Sequence, residues 1–278
     1  MTFDWNEPLR LPKRKALPRP LPEASPSEKK NYAERLSRGL AEMLADALRT
    51  KPSFRSISPK PDGSGHEAPT RVDGGKKKLD VRLINEELGL VFSASIKTYS
   101  FRDYSPQSRS FGRYQKNVVR NDMELRAEAD VVHRRQPYAV MVALFFMHEG
   151  ATTDGTNKHS SFAHAAFTLR KRAGRRDAFD QRFDRFEKVY IGLFDPDRVD
   201  DGRVVFFDVE NSPPRNGMPR HTKSLRGVVE EIDHLVKIRN EVVYDYDDGA
   251  EAEDLDLGDL SVGDVMDVDT TGESDGDG

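Results

Sequence analysis

Two stretches, Lys78-Leu79-Asp80-Val81-Arg82-Leu83 and, seven residues on, Leu90-Val91-Phe92-Ser93-Ala94-Ser95-Ile96-Lys97-Thr98, decide how this chain is read. In the first, Leu79, Val81 and Leu83 alternate with Asp80 and Arg82; in the second, Leu90, Phe92, Ala94 and Ile96 alternate with Val91, Ser93, Ser95 and Lys97. A period of two predicts β-strands, with Ser93, Ser95 and Lys97 on one face and the apolar set on the other. Asn85-Glu86-Glu87-Leu88-Gly89 between them suits a hairpin. A carboxylate and an ammonium are thereby expected on paired strands at a sheet edge.

Working outward, Leu36, Leu40, Met43, Leu44, Ala47 and Leu48 recur at helical spacing, with Ser27 as the expected N-cap and Pro52 as the stop. Residues 52–75 are rich in Pro, Gly and Ser and read as a loop. Helix is expected over 117–135, with Val118, Leu125, Ala129 and Val132 as its stripe. Pro137 ends it, and the apolar run 138–147 reads as a central buried strand. Further helices at 161–172 and 222–240 and strands at 187–194 and 204–209 complete an α/β fold with a mixed central sheet. Six prolines among basic residues mark 1–26 as a disordered arm. The α/β domain is expected over 27–245 and a disordered acidic tail over 246–278.

At 278 residues the chain has room for one such domain plus tails. No run approaches the ~18 apolar residues of a membrane span, and the charged first residues lack the apolar core of a signal peptide. The absence of Cys excludes disulfides, thiol nucleophiles and thiolate zinc sites, and suits the cytoplasm. The formal net charge of −4 conceals a partition: fourteen of the 48 acidic residues, and no Lys or Arg, lie from Asp245 onward, leaving 34 acids against all 44 bases before it. A basic body points to a polyanionic partner. The tail intersperses Leu255, Leu257, Leu260, Val262, Val265 and Met266 among its acids, which a plain solubility tail does not need, and a protein partner is expected there.

The chemistry gathers where Asp80 and Lys97 share a face and the following helix offers Asn121, Glu124 and Glu128 along the edge of its apolar stripe. Carboxylates of this kind hold Mg²⁺, and a Lys beside them orients water or offsets charge at a phosphoryl group. The pattern resembles the PD-(D/E)XK superfamily of nucleases, whose members place an Asp on one strand and an acidic-x-Lys on the next within an α-β-β-β-α-β, restriction-endonuclease-like core. Asp80 matches the first element and Lys97 the last, over about residues 27–147. Ser95 departs from the pattern, since it stands where the superfamily carries a carboxylate. Some restriction endonucleases with Ser-x-Lys supply a Glu from the following helix. That implies Glu124 or Glu128, with Glu124 preferred because Asn121 lies one turn before it. Glu34 on the first helix, Asn121 and Gln136 are candidates to assist, with a solvated charge as the other reading of Glu34.

The resemblance implies a Mg²⁺-dependent DNA endonuclease of restriction or phage-defence type, for which a homodimer cutting both strands is the usual arrangement. The rival is an inactive nuclease-fold DNA-binding or scaffold subunit in which Ser95 records the loss of catalysis. A third reading makes the acidic tail itself the functional part of an interaction factor. The segment after the second strand interleaves Arg102, Tyr104, Arg109, Arg113 and Lys116 with Phe101, Phe111 and Tyr114 and is expected to touch nucleic acid. Arg170, Lys171, Arg172, Arg175 and Arg176, and His133 with Arg134 and Arg135, form further basic clusters. His159 and His164 lack zinc-site spacing, and no Gly-rich phosphate loop is present.

Overall fold

A computed structural model describes residues 3–67, 69–72, 75–102, 104–105, 107–114, 117–155 and 159–240. The first helix, α1 (Arg10–Ala16), lies inside the Pro-rich segment and corrects the expectation of a disordered arm. Pro12 falls in its first turn, where backbone amides have no intrahelical acceptor to lose. Leu9 and Ala16 are fully buried. Lys13, only 2% exposed, donates from Nζ to the carbonyls of Asp195, Arg198 and Asp201 at 2.6, 2.5 and 2.5 Å. The next helix, α2 (Pro26–Leu48), is capped by Ser25, two residues before the expected Ser27: its hydroxyl accepts from Glu28 N–H while the Glu28 carboxylate accepts from Ser25 N–H. Gly39 of α2 lets α1 close in, since a Cβ there would meet Pro12 Cα at 3.0 Å.

The segment read as loop carries a hairpin, β1 (Pro69–Val72) against β2 (Gly75–Lys78). The expected pair follows as β3 (Val81–Asn85) and β4 (Gly89–Tyr99), antiparallel with Val81 opposite Ala94 and Leu83 opposite Phe92. A short hairpin of β5 (Tyr104–Ser105) and β6 (Ser110–Phe111) leads to α3 (Val118–His133). The strand β7 (Val140–His148) runs parallel to β4, α4 (Ser161–Arg170) crosses over, and β8 (Lys188–Phe194) runs parallel to β7. An antiparallel edge strand, β9 (Val205–Asp208), and α5 (Leu225–Asn240) complete the order. The five-stranded mixed sheet thus reads β3-β4-β7-β8-β9.

Helices cover both faces, which is why every residue from Val140 to Met147 is fully buried. Ser93, Ser95, Lys97 and Tyr99 align with Met141, Ala143, Phe145 and Met147 of the neighbouring parallel strand. On that side the core includes Leu125, Ala129 and Val132 of α3 and Phe162 and Leu169 of α4. The other side, represented by Phe92, meets Phe54 just beyond α2 with ring centroids 5.5 Å apart. Ser93 and Ser95 are therefore as buried as the apolar set, a consequence of the α3 cover that strand alternation alone does not reveal. No helix among the described residues is long and apolar enough to cross a membrane. The acidic tail, 246–278, lies outside the described residues.

Candidate active site

Asp80 stands one position before β3, next in line after the Val81–Ala94 pair and so opposite Ser95. It sits at a bend outside the strand, and its neighbour Leu79 packs in the α3-side core with Leu125 and Tyr99. Its Oδ2 accepts the Ile96 N–H at 2.7 Å, which fixes the carboxylate against β4. Burial pushes the Asp80 carboxyl above the usual carboxylate range, against the Ile96 N–H and the Lys97 ammonium, both of which pull it down. Ser95 is 2% exposed and directly beside this pair.

The crossover connection runs α3 back along β4, so its successive turns descend past the strand. Asn121 at the top donates from Nδ2 to Tyr99 Oη and serves to hold that buried ring. One turn on, Glu124 Oε2 lies 3.5 Å from Lys97 Nζ while its Oε1 accepts from Arg120 Nε at 2.9 Å. Glu128, another turn on, is 6% exposed on the buried side of the helix. The fold thus pairs Lys97 with Glu124 on the α3 side, ties the Asp80 carboxylate to the β4 backbone at Ile96 beside Ser95, and leaves Glu128 one turn further along the same helix.

Two expected assistants sit elsewhere. Glu34 is exposed on the outside of α2 and pairs with Lys30 at 3.6 Å, an ordinary solvated i,i+4 contact. Gln136 packs its amide over Gly89, where an added Cβ would meet Nε2 at 2.9 Å. That is the opposite end of β4, roughly 20 Å from Ser95 at about 3.3 Å per residue.

Sequence reasoning missed His66 and Glu67. One ring nitrogen of His66 and one carboxylate oxygen each from Glu67 and Asp80 all lie within 4.8 Å of one another, a donor set with the chemistry of a divalent-cation site. The only signal in the sequence is a His-Glu pair directly after Gly63-Ser64-Gly65. A second group, His148, Asp195 and Asp197, lies at the carboxyl ends of β7 and β8. There the groups satisfy each other: His148 Nδ1 accepts Gly150 N–H at 2.8 Å and Nε2 meets Asp197 at 3.0 Å. Asp197 also takes Arg19 at 2.8 Å and Asp195 takes Arg198 at 3.1 Å.

The basic-aromatic segment divides into braces and a tip. Tyr104 and Phe111 stack across the β5–β6 hairpin at 5.1 Å, and Arg102 Nε donates to the Gly112 carbonyl at 2.8 Å. Arg113 donates to the His159 carbonyl and lies 3.9 Å from Asp154, so it ties the hairpin to the body. Arg109 is exposed at the tip, while Lys116 lies outside the described residues. The other basic clusters are largely internal ties. Arg172 pairs with Asp122 at 2.8 Å and Asp184 at 2.5 Å, and the fully buried His133 and Arg175 side chains both meet Glu187, at 3.5 and 3.0 Å. No protein-family model, curated protein or solved structure matches the chain.

Proposed function

We propose that this protein is a metal-dependent endonuclease of the PD-(D/E)XK type that hydrolyses DNA, as restriction and phage-defence enzymes do. The reading is carried by one observation: Lys97 meets Glu124 of α3 at 3.5 Å on the strand whose Ile96 N–H binds the Asp80 carboxylate, and that strand pair is followed by a helix and a parallel strand. Asp80 and Glu124 are the residues to hold Mg²⁺, with Glu124 in the role Ser95 cannot fill. When bound, the cation supplies charge to a phosphoryl oxygen and lowers the pKa of a water. Lys97, held by Glu124, contributes a positive charge where negative charge develops on the scissile phosphate. Ser95 offers a hydroxyl for a hydrogen bond beside Asp80. The Ile96 amide keeps one Asp80 oxygen engaged, so the carboxylate presents the other.

One observation favours the alternative, an inactive nuclease-fold DNA-binding or scaffold subunit: the Glu124 carboxylate is already shared between Lys97 and Arg120. Plasmid incubated with Mg²⁺ or Mn²⁺ separates the two. Cleavage by the wild type that drops by about 10²-fold or more in Lys97→Ala, and is lost in Asp80→Ala, supports the nuclease. A folded Lys97→Ala protein that cuts at the wild-type rate removes the assignment, and DNA binding without cutting favours the alternative.

A further inference from the structure

We propose that the turn before β1 completes the cation site at Asp80, and that its imidazole makes the site select a first-row transition ion such as Mn²⁺ over Mg²⁺. The proposal deepens the nuclease reading, on which it rests through Asp80, and it assigns His66 and Glu67 as ligands.

Geometry supplies the first part. The three donor atoms lie within 4.8 Å of one another, against ~3.0 Å for adjacent and ~4.2 Å for opposite ligands of an ion with 2.1 Å bonds. Rotations of the His66 and Glu67 side chains by on the order of 1–2 Å bring the three to one ion. The second part comes from an unmet need. His66 Nε2 is shut off from solvent and has no hydrogen-bond partner, although buried polar atoms are almost always paired. Glu67 is barely committed, its ion pair with Lys78 spanning 3.9 Å between exposed side chains. Asp80 has one oxygen fixed by the Ile96 N–H. The His148 group differs on every count, because its ring nitrogens and carboxylates are already engaged by one another and by Arg19 and Arg198. A cation in that place would have to break existing contacts, whereas at Asp80 it meets donors in need of one.

Donor chemistry sets the preference. Mg²⁺ favours oxygen ligands and water in a strict octahedron, whereas imidazole suits borderline transition ions, which also bind more tightly to a given nitrogen and oxygen set. One imidazole with two carboxylates therefore discriminates where Asp80 and Glu124 alone would not.

The test titrates the full-length protein with Mn²⁺, reading free ion by electron paramagnetic resonance, with Mg²⁺ as competitor. The expected wild-type result is one Mn²⁺ that Mg²⁺ displaces only at about tenfold or greater excess, with pulsed resonance showing nitrogen coupling to the bound ion. His66→Asn should lose about tenfold or more in Mn²⁺ affinity, with Mg²⁺ affinity unchanged. Glu67→Gln, at an exposed position, should weaken both ions. Equal affinities for the two ions, absence of nitrogen coupling, or a folded His66→Asn protein with wild-type Mn²⁺ affinity overturns the proposal. Should His66→Asn fail to fold by circular dichroism, Glu67→Gln with unchanged affinities overturns it instead. Intact plasmid alongside His66-dependent Mn²⁺ binding removes the nuclease reading and supports this one; cleavage with metal binding indifferent to His66 does the reverse.

Discussion

Asp80 is a carboxylate kept where the fold would rather have a neutral group. Burial raises its pKa above the ordinary range despite the Ile96 amide and Lys97. The folded protein therefore binds this proton more tightly than the unfolded chain does, and stability falls as pH rises from the ordinary carboxylate range through the raised value. Above that value the loss is complete and constant. Asp80→Asn keeps an oxygen to accept the Ile96 N–H and removes the charge. In chelator at pH 7 the variant should be more stable by on the order of 1 kcal/mol, about 2–4 °C in Tm, and under the proposed function it should lose metal-dependent cleavage. The gain should shrink toward zero below the ordinary carboxylate range. Thermal melts at both pH values check this, and a variant less stable than wild type at pH 7 refutes it. At this scale Lys97 and Glu124 could be read from sequence because strand and helix periods dictate which side chains share a face, and Asp80 because the hairpin register sets it beside Ser95. His66 and Glu67 could not. They reach Asp80 through an aperiodic turn in which Gly65 and Glu67 take φ of +81° and +48°, and no pattern of residue types encodes where such a turn points.

At the scale of elements, the sheet and its covering helices follow the expected periods, and two of the failures share one cause: the sign and number of charges do not say where their partners are. The Pro-rich segment looked like a solvated arm, yet Lys13 closes a loop that lies 182 to 188 residues away in the chain. His133, Arg172 and Arg175 belong to basic clusters that read from sequence as solvated surface, yet Glu187, Asp122 and Asp184 take them inside. Gln136 lies away from the site it was expected to assist, since proximity in sequence to the buried strand does not specify which end of the neighbouring strand it meets. The Lys13 contact makes a sharp prediction for α1. Lys13→Met leaves three carbonyls without their donor and should cost about 2–4 kcal/mol in urea unfolding. Lys15→Met, which removes only a partly exposed pair with Glu42, should cost less than about 1 kcal/mol. Equal effects would mean that the α1 contact contributes no more than a surface charge.

Over the whole molecule the partition of charge, 44 bases against 34 acids before Asp245 and acids without bases from it onward, bears on how the proposed nuclease would hold a nucleic acid. Each phosphate neutralised releases condensed counterions, so log affinity for duplex DNA should fall linearly with log salt, by about 0.9 for every contact. The hairpin separates charge that can serve this purpose from charge already committed. Arg109 is exposed at the tip, whereas Arg113 is bound to the His159 carbonyl and Asp154. Arg109→Ala should lower the slope by about 0.9 and leave Tm unchanged; Arg113→Ala should lower Tm. Deleting 246–278 removes a strong negative charge from the same chain and should raise non-specific affinity at low salt, an effect that fades as salt screens it. Titrations of one duplex at several salt concentrations measure both quantities. A tail deletion that binds no better at the lowest salt would show that the acidic segment does not oppose DNA and would leave a protein partner as its function, while an unchanged slope for Arg109→Ala would remove the hairpin tip from the DNA contact.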